Sequence, residues 1–218
     1  MVLYGGAFDP PHDGHRRMIE RAHQTLPKAK IWILPSPVPA GAQERHKQPT
    51  ASFEQRLAMC ELAFAEVLAK GAAELMDIEV RLPAPNYTVR TLRYCQQTYP
   101  GQRWALLIGQ DQLQSLASWH EVQTIAEVAD LLLVGRGHRT ALLDATRSVA
   151  AQLGLELKHI AGDCYGWHHT QRYVYLMAGT VSDAASTAIR KNPNQALQKD
   201  WLAPAVAEYI QRARLYGQ

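Results

Sequence analysis

Short apolar runs separated by longer segments of helical periodicity constrain this chain more than any other feature of its sequence. The runs are Val2–Tyr4, Ile31–Leu34, Leu75–Val80, Trp104–Ile108, Leu131–Val134 and Tyr173–Met177. Each has the short length and apolar character of a strand covered on both faces. Between them Met18, Ile19, Ala22 and Leu26 recur at helical spacing, as do Phe53, Leu57, Cys60, Phe64, Val67 and Leu68. Val206, Tyr209, Ile210 and Ala213 repeat the pattern near the C-terminus. Ser52, with Gln55 three residues later, reads as a capping box that starts the second of these helices. Strand alternating with helix predicts an α/β fold, a Rossmann-like doubly wound, mostly parallel sheet with helices on both faces.

With 218 residues, 47% of them hydrophobic, the chain can bury a full core as one domain spanning 1–218. A formal net charge of only +3 provides no field for nucleic acid or a membrane surface, so neither is an expected partner and anion binding must be local. Cys60, Cys95 and Cys164 lack the paired spacing of a zinc site or redox dithiol. They read as reduced thiols. Met1–Tyr4 runs into a glycine pair with no basic segment and long apolar stretch, so no signal peptide or transmembrane helix is expected and the expected location is the cytoplasm. A homo-oligomer is compatible with all of this.

Two stretches read as loops. Pro35 to Thr50 carries four prolines, one glycine and the charged run Glu44-Arg45-His46-Lys47. Ala161 to Thr170 carries Gly162, Gly166, His168 and His169. The two adjacent histidines have no third ligand placed by sequence and read as loop histidines.

The segment Gly5-Gly6-Ala7-Phe8-Asp9-Pro10-Pro11-His12-Asp13-Gly14-His15 follows the first strand and opens the first helix. In a doubly wound sheet this is where phosphate binds: glycines let the backbone approach a ligand, and the helix start offers N–H groups and partial positive charge. His12 and His15, three apart, project to one side of a first helical turn. A second segment, Ser186-Thr187-Ala188-Ile189-Arg190, reads as another helix start, its hydroxyls able to cap or to bind phosphate and Arg190 able to turn a guanidinium fork to the same anion.

The first segment resembles the signature of nucleotidyltransferases with a His-x-Gly-His type motif and, within them, the bacterial nicotinate-nucleotide adenylyltransferases. The resemblance extends in patches over essentially the whole chain. It implies transfer of AMP from ATP to nicotinate mononucleotide, with pyrophosphate released and Mg²⁺ bridging the leaving group. It implies that Gly5, Gly6, Ala7, Phe8, His12 and His15 line the ATP site, with His15 stabilising charge that develops during transfer. Ser186, Thr187 and Arg190 match the family's Ser-Ser-Thr-x-Ile-Arg element, which binds the phosphates from the other side; Ala185 stands where the first Ser is common. His46-Lys47 and Arg56-Leu57-Ala58-Met59 are placed much as in the family, where the lysine reaches phosphate. Asn86-Tyr87-Thr88-Val89-Arg90-Thr91-Leu92 is similar to Tyr-Thr-x-Asp-Thr-Leu, with Arg90 in place of Asp.

At Ile108-Gly109-Gln110-Asp111 a carboxylate ends a strand, suited either to ribose or acceptor hydroxyls or to capping a helix. Trp119 suits either core packing or stacking on a flat ring. The resemblance implies the site role for Gly109, Asp111 and Trp119, with Trp119 on the nicotinate ring. Arg136 faces either a cleft or solvent, and Thr88 and His120, if they begin helices, offer backbone donors to the acceptor. Other phosphorylated acceptors, nicotinamide mononucleotide and phosphopantetheine among them, stay open, as does a non-catalytic nucleotide-binding regulator.

Overall fold

The computed structural model describes residues 1–39, 49–135, 137–168, 170–179 and 182–217. Lys47, with the charged run around it, Arg136 and His169 lie outside these residues. Eight strands form one sheet of order β3-β2-β1-β4-β5-β8-β7-β6: β1 Val2–Gly6, β2 Ile31–Pro35, β3 Ala73–Leu75, β4 Trp104–Gly109, β5 Ala129–Val134, β6 Leu157–Ala161, β7 Cys164–Trp167 and β8 Tyr173–Met177. The order turns back between β1 and β4, as in a doubly wound α/β sheet, and most pairs are parallel. The chain divides into two compact units, Met1–Tyr4 with Tyr87–Val181, and Gly5–Asn86 with Ser182–Gln218.

In the first unit β4, β5 and the start of β1 are buried along their length. This is why their sequences are apolar runs, interrupted only by Asp130 of β5, rather than alternating ones. β8 pairs parallel with β5 in register Leu131↔Val174 to Val134↔Met177. The helices are α3 Thr88–Thr98, α4 Gln110–Leu113, α5 Val122–Val128 and α6 Arg139–Gln152. Asp130, buried at the strand edge, accepts two hydrogen bonds from Arg103 at 2.6 and 2.8 Å and one from the Tyr173 N–H at 2.8 Å. That arrangement satisfies a carboxylate that would otherwise be costly to bury.

Two expectations are corrected. Ala161–Thr170 is not a loop throughout: Cys164–Trp167 is β7, which forms an antiparallel hairpin with β6, Ala161 opposite Cys164, and is antiparallel to β8. Four of the five β6 residues, Lys158 to Ala161, are exposed, so the strand lies at an edge and needs no apolar periodicity. Leu75–Val80 is not one strand: β3 ends at Leu75 and Ile78–Arg81 winds into a 3₁₀ turn. That turn buries Ile78 and leaves Val80 exposed.

The second unit holds β2, β3, α1 Asp13–Thr25, α2 Phe53–Ala69, α7 Ser186–Lys191, α8 Pro193–Gln198 and α9 Pro204–Arg212. Of the positions read at helical spacing, Ile19, Ala22, Cys60, Phe64, Val67, Val206 and Ile210 are buried; Val206 and Ile210 of α9 form one cluster with Met59 of α2, Ile189 of α7, Ala196 of α8, Ala51 and Leu202. Each large apolar side chain buried there contributes about 1.5–3 kcal/mol. Pro193 and Pro204 stand at helix starts, where a missing N–H costs nothing. Cys60 and Cys95 are buried, Cys164 partly so, and all three are free thiols. Among the described residues no helix is long and apolar enough to cross a membrane.

Candidate functional site

The glycine turn and the second motif lie in the same unit and are bonded to each other. At the turn, a Cβ on Gly6 would come within 3.1–3.3 Å of the Phe8 ring, and one on Gly14 within 3.0 Å of Cε1 and Nδ1 of His12. Packing against the Phe8 ring therefore favours glycine at 6, and glycine at 14 leaves the His12 ring its place. At the exposed Gly5 a Cβ would meet nothing within 4 Å. The fold does not require a glycine there, whereas a ligand approaching the backbone would. Phe8 takes the left-handed backbone at φ 48, a conformation costing a bulky residue about 1–3 kcal/mol. Its ring meets His15 edge-on at 5.0 Å and Phe64 at 5.8 Å.

His12 is the N-cap of α1, with extended backbone, and the His15 Nδ1 accepts its N–H at 3.1 Å. A ring nitrogen that accepts carries no proton, so His15 in this arrangement is neutral with its proton on Nε2. The imidazoles stack with centroids 3.7 Å apart. His12 is buried to 8% exposure, with His15 more open. The Asp13 N–H at the helix start bonds the Trp201 carbonyl at 2.9 Å. The Asp13 carboxylate is occupied by Arg16 and Arg17, each at 2.6 Å.

The second motif begins α7 as expected, with Ala185 as N-cap and no side-chain cap bond. The Ser186 hydroxyl donates to the Pro10 carbonyl at 2.9 Å, and Arg190 Nη1 to the Asp9 carbonyl at 2.6 Å, with Nη2 3.5 Å from the Thr187 hydroxyl. Thr187 is exposed. Ser186 thus has its proton committed to the turn and only lone pairs to spare, while Arg190, bonded at the turn, brings positive charge to it.

Beneath the turn are residues to which the sequence assigned no individual role. The Asp9 carboxylate, 4% exposed, accepts the N–H groups of Thr50 at 2.7 Å and Ala51 at 3.2 Å and the Tyr216 hydroxyl at 2.7 Å. Arg56, 1% exposed, donates to the carbonyls of Ala7 at 2.6 Å, Ala51 at 3.3 Å and Pro37 at 3.4 Å. Burial lowers its guanidinium pKa, an effect the nearby Asp9 opposes. Burial, reinforced by the hydrogen bond to Asp9 and its charge, pushes the Tyr216 phenol well above its ordinary range and keeps it a donor. The sequence signal for these partners was their place in matched segments, Asp9 in Gly5 to His15 and Arg56 in Arg56 to Met59.

The expected acceptor-side residues stand in the other unit. Thr88 is the first residue of α3, whose N-cap Tyr87 makes no side-chain cap bond. His120 does not begin a helix. α5 starts at Val122 after Glu121, whose φ is 51, and the His120 ring stacks on Tyr87 at 4.4 Å. The Arg90 guanidinium lies 5.0 Å over that same ring. Trp119 is half-buried with its Nε1–H directed at the Ser115 hydroxyl, 3.4 Å away, and it follows the 3₁₀ turn Leu116–Ser118. β4 ends at Gly109, the N-cap of α4, and Asp111 is exposed in that helix's first turn rather than capping it. Among the described residues no group of three His, Cys, Asp or Glu side chains could hold a metal ion.

This turn on a doubly wound sheet, bearing two imidazoles and clasped by a hydroxyl and an arginine, brings together the groups expected of a nucleotidyltransferase. The chain belongs to the cytidylyltransferase-like family, whose model matches residues 3–192. Its relatives include the probable nicotinate-nucleotide adenylyltransferase of Serratia proteamaculans, 31% identical over 99% of this chain and 94% of that one. The Klebsiella pneumoniae protein of the same description is also 31% identical, over 99% and 96%. The fold matches the Plasmodium falciparum nicotinic acid mononucleotide adenylyltransferase complexed with NaAD, with a TM-score of 0.69 at 17% identity, covering 99% of this chain and 96% of that one.

Proposed function

We propose that this chain is a nicotinate-nucleotide adenylyltransferase, moving AMP from ATP to nicotinate mononucleotide and giving deamido-NAD and pyrophosphate. The observation that carries the reading is the bonded pair of motifs, in which Arg190 and Ser186 grip the carbonyls of Asp9 and Pro10, just before the His12–His15 pair. The choice of acceptor follows relatives that match nearly end to end. Residues 1–218 are read as a single nucleotidyltransferase domain, and the free thiols suit a cytoplasmic setting.

A phosphate monoester is already anionic at neutral pH, so the acceptor needs no general base. One of its phosphate oxygens bonds to the α-phosphorus of ATP as the bond to the bridging oxygen of pyrophosphate breaks, and that oxygen leaves with the electron pair. The chain's task is to align two repelling anions and offset the charge that develops. In this reading the His15 Nε2–H donates to a phosphate oxygen, His12 contacts the polyphosphate beside it, and Lys47 and Arg190 add positive charge. Gly5, Gly6, Ala7 and Phe8 present backbone, Thr187 a hydroxyl, and Gly109 and Asp111 meet the nucleotide. Mg²⁺, entering with ATP, would supply further neutralisation of the phosphate charge.

For the acceptor, Trp119 stacks on the pyridine and the start of α3 at Thr88 donates N–H groups to the ring carboxylate; Arg136, expected on the acceptor side, lies outside the described residues. A site of donors would face the amide NH₂ of nicotinamide mononucleotide with a mismatch costing about 1–3 kcal/mol. Pyrophosphate release measured with ATP, Mg²⁺ and a panel of phosphorylated acceptors should therefore favour nicotinate over nicotinamide mononucleotide by about ten- to a hundredfold in kcat/KM. Equal values or a preference for the amide would reject the acceptor. No release with any acceptor would reject adenylyl transfer.

A further inference from the structure

The adenylyl-transfer reading uses neither the C-terminal tail nor the carboxylate of Asp9, yet the two meet at 2.7 Å across 207 positions of sequence. Three observations suggest more than a packing contact. The Asp9 carboxylate is buried and ties Thr50, Ala51 and Tyr216 together, while its own backbone carbonyl receives Arg190 and the next carbonyl, of Pro10, receives Ser186. Residue 9 therefore lies between the tail and both halves of the phosphate motif. The left-handed backbone conformation is taken by Phe8, beside Asp9, and by Arg214 and Tyr216 in the tail, at φ 48, 51 and 59; none is glycine, and such conformations persist only where surrounding contacts hold them. Finally, Leu215 and Tyr216 rest on the cluster formed by α2, α7 and α9, which gives the hydroxyl a rigid support.

We propose that Tyr216 is a positioning residue for ATP: through the Asp9 carboxylate it fixes the turn from which Arg190 and the His12–His15 pair address the phosphates. This rests on the adenylyl-transfer reading. Tyr216 touches no substrate. Its hydroxyl proton goes to Asp9 Oδ1, which leaves the other carboxylate oxygen for Thr50 and for the Arg190 guanidinium 3.7 Å away. Without that proton, Oδ1 keeps only the longer bond from Ala51, and residue 9 is free to shift with the two carbonyls that Arg190 and Ser186 grip.

Tyr216→Phe removes the hydroxyl and keeps the ring on its apolar support. ATP affinity by calorimetry with Mg²⁺ and no acceptor should weaken about two- to tenfold, the scale of one hydrogen bond. The acceptor KM should stay within about twofold of the original chain, measured well below the melting temperature of both proteins. A variant with unchanged ATP affinity and kcat/KM overturns the proposal, as does one that loses ATP and acceptor equally, since a general loosening of the fold would do that. Asp9→Asn, which keeps an acceptor oxygen for the Tyr216 hydroxyl, should weaken ATP less than Tyr216→Phe combined with Asp9→Asn; equal losses would place the effect outside this bond. If the original chain itself fails to bind ATP, the adenylyl-transfer reading fails, and this inference with it.

Discussion

α1 and α2 begin with the same device made from different residues. At α2 the Ser52 hydroxyl accepts the Gln55 N–H at 3.2 Å and the Gln55 side chain returns to the Ser52 N–H at 2.8 Å, a capping box of residues well suited to it. At α1 the cap is His12 and the third helical residue is His15, whose Nδ1 takes the His12 N–H at 3.1 Å. Histidine is a poor choice if helix initiation is the only requirement. Where a start serves the fold, the sequence supplies a good cap. Where it also faces a ligand, capping is left to side chains with other uses.

The sharpest way to break this comparison is to give α1 the residue that serves α2. In His15→Gln the amide oxygen can accept the His12 N–H as Gln55 accepts that of Ser52, so melting temperature should hold. The polarised Nε2–H is lost, and kcat should fall by roughly 10²-fold or more, the scale of one lost transition-state donor. Steady-state kinetics beside a thermal melt reads both. A near-normal kcat in a stable protein would make His15 a cap and nothing else.

Gly14→Ala sharpens the same point with a smaller effect. Alanine favours a helix interior over glycine by about 1 kcal/mol, but its Cβ would stand 3.0 Å from the His12 ring. The ring must move by a few tenths of an ångström. Stability should hold or rise while kcat/KM for ATP falls by about tenfold, since small misplacements at a reacting centre are costly. Unchanged kinetics would show that the position of the His12 ring does not matter.

The contrast also accounts for what could be read in the sequence. Local features were legible: the buried parallel strands, the Ser52 box, the turn from Gly5 to His15, the helix start at Ser186. Each is a pattern of neighbouring residues whose physics is complete within a few positions. β6 was not legible, because an exposed edge strand such as Lys158–Ala161 carries no apolar signal. The supports of the site were hidden for another reason: Asp9 meets Tyr216 and Arg190, and Arg56 meets Ala7, across separations no periodicity encodes. His120, expected at a helix start, stacks on Tyr87 instead, since the left-handed residue Glu121 delays α5 to Val122.

The smallest effect belongs to the conventional cap. Ser52→Ala leaves the Gln55 N–H without its acceptor and removes the hydroxyl that donates to Glu54 at 2.8 Å. Loss of such a cap costs about 1 kcal/mol, or about 2–4 °C in melting temperature for a domain of this size. Ser52 faces no substrate in the proposed reaction, so kcat and both KM values should match the original chain. The penalty should also depend on acid. The Glu54 backbone N–H and then the Ser52 hydroxyl hold its carboxyl below the ordinary carboxylate range. A carboxyl depressed in the folded state adds stability that is present above its unfolded pKa and lost as pH falls through the folded one. The difference in melting temperature between the two proteins should therefore narrow below about pH 4, near where free glutamate titrates. A gap that stays constant through that range would put the whole penalty on the Gln55 bond. A fall in kcat at neutral pH would mean that the α2 start, like that of α1, takes part in catalysis, and the distinction between the two helices would be lost.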